Sequence, residues 1–117
     1  MWWVWDDHRL SPSASQAIRS AETVFVSSVS AIEIAIKHRI GKLPNGEVLA
    51  ERFTQIMDLE GFAELPVRWR EAQLAGRMDN AHRDPFDRML IAQGLVNDLT
   101  LVSNERLFDG FGVARIW

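Results

Sequence analysis

Apolar and polar positions alternate along this chain with two periods, and the period switches several times. Ser11-Pro12 opens a predicted helix that continues through Ile18-Arg19, with serine at the cap and proline in the first helical position. Thr23-Val24-Phe25-Val26 is a short, unbroken apolar run rich in β-branched residues, which predicts a buried strand. A helix capped by Ser28 or Ser30 then runs through Lys37-His38-Arg39 and stops at Gly41. After the Pro44-Asn45-Gly46 loop, Val48, Leu49, Phe53, Ile56 and Met57 recur at helical spacing, predicting a helix from Glu47 to about Leu59. Phe62–Leu65 predicts a second strand. Arg68–Arg77 predicts a helix with Trp69, Ala72 and Leu74 inward.

The polar stretch Asn80–Arg83 precedes a helix over Pro85–Val96. Leu99–Val102 predicts a third strand, Leu107-Phe108 a helical turn, and Gly112–Trp117 a fourth strand. Strands that alternate with helices imply βα units and a mainly parallel sheet covered on both faces. In such sheets ligands bind beyond the carboxyl ends of the strands. The strand at 23–26 leads into the helix that carries Glu33, and the strand at 99–102 leads to Glu105.

Composition narrows the class. At 117 residues, 47% hydrophobic and 25% charged, the chain is predicted to form one globular domain with a real core. Without cysteine it has neither a disulfide framework nor a thiolate zinc site, and a reducing cytoplasm is the expected compartment. No apolar run approaches the ~20 residues that cross a membrane. The start Met-Trp-Trp-Val-Trp-Asp-Asp is too short and too acidic for a signal peptide. A net charge of −3 does not advertise nucleic-acid binding, although a local basic patch would suffice for it.

Four acids carry the candidate chemistry. Asp84 suits the N-cap of the helix at Pro85, and Asp87 lies in its first turn, where the helix dipole favours a negative charge. Each has a bland alternative, as a cap and as a first-turn charge. Glu105 can equally open a short helix after its strand. Glu33 stands among Ile32, Ile34 and Ile36, so its carboxylate is expected near the core, where a charge needs a partner. Glu33, Asp87 and Glu105 brought to one sheet edge would form a pocket for a hard divalent cation. Such a pocket repels RNA unless cations offset it. Lys37, His38, Arg39, Lys42, Arg83 and Arg88 are the candidates, each also readable as an ordinary solvated charge. Trp2, Trp3 and Trp5 are read as packing residues, with an aromatic docking surface as the alternative.

Several segments, in order and spacing, resemble the PIN-domain nucleases, and among them the VapC-type toxins of bacterial toxin–antitoxin pairs. They are Trp2-Trp3 with Asp6-Asp7 and Arg9-Leu10-Ser11, Ser30–Lys37 with Gly41-Lys42-Leu43, His82–Arg88, Ile91-Ala92-Gln93, Leu99–Ser103, and Gly112-Val113 with Trp117. The resemblance spans essentially the whole chain. It implies a three-layer α/β/α sandwich over 1–117, magnesium or manganese, hydrolysis of RNA phosphodiester bonds, a homodimer, and a VapB-like antitoxin that blocks the site. By that resemblance Glu33 matches the family's second acid and Asp87 its third, with Asp84 an auxiliary catalytic candidate. Ser103 and Glu105 fall where the family has a hydroxyl and an Asp, so Glu105 carries the charge on an arm one methylene longer. Lys37, Arg83 and Arg88 are the substrate-binding candidates.

The family's first acid, at the end of an opening strand, has no counterpart ahead of Trp2-Trp3. The resemblance therefore implies that an opening strand and half a helix are missing, and that the chain as given cleaves RNA poorly. Two other classes stay open: an inactive remnant that binds an antitoxin, and an unrelated α/β protein whose acids hold a metal or a phosphoryl ligand.

Overall fold

A computed structural model describes residues 11–78 and 84–117. They form an α/β protein with parallel strand pairs, as the alternating pattern predicts. The chain divides into two compact units, one reaching to Pro66 and the other running from Val67 to Trp117. The tryptophans at 2, 3 and 5, Asp6 and Asp7, and the predicted loop with His82 and Arg83 lie outside the described residues.

In the first unit, α1 spans Pro12–Ser20, and the Ser11 side chain accepts a hydrogen bond from the Ala14 N–H at its start. Strand β1 spans Phe25–Ser27, one to two residues later than its apolar run suggests. Helix α2 follows with no loop at all, from Ser28 to Arg39. Its cap is Ser27, not Ser28 or Ser30: the Ser27 hydroxyl accepts from the Val29 N–H at 3.0 Å. Three serines within four residues made the cap ambiguous, and the one that ends the strand in extended geometry takes it. Past α2 the backbone turns at Gly41, whose φ of +75° only glycine adopts readily.

The predicted helix at 47–59 is two helices, α3 over Glu47–Glu51 and α4 over Phe53–Glu60. Arg52 leaves helical geometry between them, with φ −124° and ψ 32°. A single period-3.6 face cannot serve both pieces once the axis breaks. Leu49 and Met57 are buried, whereas Val48 is exposed. Strand β2, Ala63–Leu65, pairs in parallel with β1, placing Phe25 opposite Ala63 and Ser27 opposite Leu65. Ala14, Val26, Val29, Ile34, Leu43, Leu49 and Met57 are the buried apolar residues of this unit.

In the second unit, α5 spans Trp69–Arg77 and packs against α6, Pro85–Val96. The inward face of α5 differs from the predicted one. Trp69 is 93% exposed and Ala72 is exposed, while Glu71 and Ala75 are buried. The pattern favoured apolar residues for the inner face, but the Glu71 carboxylate is tolerated there because the Asn97 side-chain amide donates to it at 3.3 Å. Helix α6 begins and ends where its pattern predicts, and it buries Leu90, Ile91 and Ala92. Strands β3 (Leu101–Val102) and β4 (Arg115–Ile116) pair in parallel, and a 3-10 helix over Arg106–Phe111 links them. Ile91, Phe108 and Val113 form the centre of this unit's core, with Met78, Leu101 and Phe111 packed around them.

Candidate functional site

The first unit presents its acid on α2. Because β1 passes directly into this helix, residues just beyond the carboxyl end of the strand occupy its first turns. Ser30, Glu33 and Lys37 are spaced by three and four residues and so share one face. Glu33 is held near the core as expected, with its side chain 19% exposed. Its partner is Lys37, whose ammonium lies 3.4 Å from Glu33 Oε2, one turn further on. This is the favourable order for such a pair, with the acid on the N-terminal side. The cation read from sequence as a contact for RNA therefore neutralises the acid read as a metal ligand. Ser30, deeper on the same face, is 2% exposed, and its hydroxyl has no hydrogen-bond partner among the described residues.

The second unit presents two acidic positions. Asp84 caps α6: one of its carboxylate oxygens accepts from the Phe86 N–H at 2.9 Å and from the Asp87 N–H at 3.4 Å. Asp87 stands in the first turn of α6, where the helix dipole favours a negative charge. Arg88, next along, donates its Nε to the Ala75 carbonyl at 2.9 Å and its Nη2 to the Met78 carbonyl. Its guanidinium therefore satisfies carbonyls at the end of α5, where helices leave acceptors unpaired. Arg83 lies outside the described residues.

Glu105 follows β3. The Ser103 hydroxyl accepts from the Glu105 N–H at 3.1 Å, and Glu105 Oε1 accepts from the Leu107 N–H at 3.1 Å, so this acid caps the 3-10 helix. Arg115 on β4 was not singled out by sequence. It donates to both carboxylate oxygens of Asp109, at 2.8 and 3.0 Å, and to the Ser103 carbonyl at 3.0 Å. The Arg115 guanidinium holds the Asp109 carboxyl below its ordinary value, and Glu105 adds to the field that favours the charged arginine. Nothing in the spacing of Asp109 and Arg115 signals this fork, because they meet only once β4 has returned beside β3.

Within neither unit do three acidic or histidine side chains of the described residues gather into a ligand cluster. The donor chemistry suits a hard cation nonetheless. Carboxylate oxygens are the ligands such ions take, and Ser30 offers a buried hydroxyl that finds no partner among the described residues.

The PIN domain family model matches residues 1–113, so the chain belongs to the PIN domain family. Members of that family are typically nucleases and generally depend on divalent metal ions. No curated protein and no solved structure matches the chain. Among the described residues, no helix is long and apolar enough to cross a membrane.

Proposed function

We propose that this protein is a divalent-metal endoribonuclease of the VapC type, a toxin that hydrolyses RNA phosphodiester bonds in the cytoplasm and is neutralised by a VapB-like antitoxin. Family membership over residues 1–113 carries this reading. The local settings of the acids support it. Glu33 is drawn toward the core on the helix that leaves β1, and Asp87 opens α6 with its capping duty taken by Asp84.

In this reading Glu33, Asp87 and Glu105 are the ligands of magnesium or manganese. A cation held by these residues would supply an activated water and neutralise charge at the scissile phosphate. Asp84 assists by fixing the first turn of α6, which sets where Asp87 stands. Glu105 must share its carboxylate with the Leu107 N–H, leaving one oxygen for a cation. Lys37 and Arg83 are the residues proposed to bind the phosphates. Arg88 reaches them only by giving up some of its bonds to α5. The acting species is a homodimer.

The reading is tested with short RNA substrates in magnesium, in manganese and in EDTA, alongside manganese binding to the same protein. One manganese per chain is expected, lost in both Glu33→Gln and Asp87→Asn; the cleavage expected of this chain is weak, sensitive to EDTA, and lost in parallel. Cleavage indifferent to EDTA, or manganese binding unchanged in both variants, would overturn it. Capture of a co-expressed VapB-like antitoxin, with loss of cleavage in the complex, is the result expected for the toxin role.

A further inference from the structure

We infer that Ser30 is a positioning residue for the cation: its hydroxyl holds a water of that ion's hydration shell beside Glu33. The inference rests on the proposed metal site.

Ser30 Oγ is buried and is the buried side-chain polar atom that finds no hydrogen-bond partner among the described residues. It does not return to the carbonyl of Val26, four residues back, which is the usual resort of a serine inside a helix. Ser27, three residues earlier, already serves as the cap, so capping does not explain a serine here. Alanine would fill the same space with better helix propensity and no unsatisfied group. A buried polar atom left in this state calls for a partner that is not a protein group, such as a water or an ion.

The place of Ser30 says which. Helical side chains lean toward the N-terminus, over the preceding turn. Lys37 shows this by reaching back to Glu33. Helical spacing puts Glu33 one turn beyond Ser30 on the same face, and no hydrogen bond joins the two. A third body can bridge them. Buried waters need two to four polar partners. The hydroxyl, the carboxylate and a cation held by that carboxylate supply three. Magnesium and manganese keep waters in their shells, and groups that orient a metal's surroundings carry part of its affinity.

The experiment compares the full chain with Ser30→Ala, Ser30→Cys and Glu33→Gln, by manganese titration under electron paramagnetic resonance and by thermal melting in EDTA. Ser30→Ala and Ser30→Cys are expected to weaken manganese binding about tenfold or more, while their melting points in EDTA equal or exceed that of the parent. A merely structural hydroxyl would lower the metal-free melting point, and that result overturns the inference. Parent-like manganese affinity in Ser30→Ala, or in Ser30→Cys, which keeps volume without a strong hydrogen-bonding group, also overturns it. Where Glu33→Gln has lost manganese in the same series, the metal reading stands and only the role of Ser30 falls. Failure of the parent to bind manganese, or parent-like binding in Glu33→Gln, sinks the metal reading and the inference with it.

Discussion

Asp84 and Asp87 lie three residues apart, and the start of α6 gives them different work. Asp84 accepts two backbone N–H groups that the helix cannot satisfy internally, while Asp87 stands one turn along with no capping role. Asparagine caps about as well as aspartate, and alanine does not. Asp84→Asn should therefore keep the urea midpoint near that of the parent, and Asp84→Ala should cost about 1 kcal/mol. Asp87→Asn should abolish manganese binding. Equal loss of stability in Asp84→Asn and Asp84→Ala would show that the cap matters less than the structure implies. Both roles were legible in the sequence, because capping depends only on local order. The Lys37 partner of Glu33 is equally available from i,i+4 spacing, whereas the sequence pattern reads Lys37 as an RNA contact or an ordinary solvated charge. The fork between Arg115 and Asp109 and the burial of Glu71 could not be read that way, since both depend on contacts made after folding.

At the scale of elements, cap and stop signals predicted α1, α2 and α6 well, whereas helical periodicity failed where two faces compete. The break at Arg52 divides α3 from α4 with neither proline nor glycine at that residue, so no local signal marks it. The strands are only two or three residues long, and their ends follow pairing more than composition. Gly94 shows how closely α6 meets its neighbours. A Cβ there would stand 2.7 Å from Val113 Cγ2 and 3.3 Å from Leu101 Cδ2. Val113 is buried and β-branched, so it cannot swing aside cheaply. Helix propensity favours alanine by about 1 kcal/mol, whereas overpacking costs about 1–3 kcal/mol. Gly94→Ala should therefore destabilise the protein, and adding Val113→Ala should recover part of the loss in a double-mutant cycle. A Gly94→Ala protein more stable than the parent would mean that the strand side gives way.

The contact between the 3-10 helix and β4 adds a pH dependence. Arg115 lowers the pKa of Asp109, so the folded state binds that proton less readily than the unfolded chain. Its contribution is complete above the ordinary carboxylate value and is lost as pH falls through the depressed one. Asp109 is largely exposed, so the effect is small. Asp109→Asn should flatten the acid limb of the stability curve below about pH 4 and leave stability near neutral pH slightly reduced. An acid limb of unchanged slope would remove Asp109 from that account.

For the whole molecule, the balance of charge limits how RNA can be held. Sixteen acids against thirteen bases leave a net charge of −3, so general attraction to a polyanion is lacking. On the proposed reading, RNA is held by a few local cations and by the metal. Each phosphate that a lysine or arginine neutralises on a single strand contributes about −0.7 to the slope of log affinity against log salt. Contacts by Lys37 and Arg83 alone therefore imply a shallow slope, roughly −1.4. Lys37 is also the counter-ion of Glu33, so removing it should act in opposite directions on the two ligands. In an Asp87→Asn background with manganese omitted, so that cleavage does not interfere, Lys37→Met should weaken RNA binding and flatten the salt slope by about 0.7. In manganese titrations without RNA, the same substitution should tighten the cation about twofold, the size expected for an i,i+4 pair of roughly 0.3–0.5 kcal/mol. An unchanged salt slope would leave Lys37 as the partner of Glu33 alone, and weaker manganese binding would mean that the ammonium positions the carboxylate instead of competing for it.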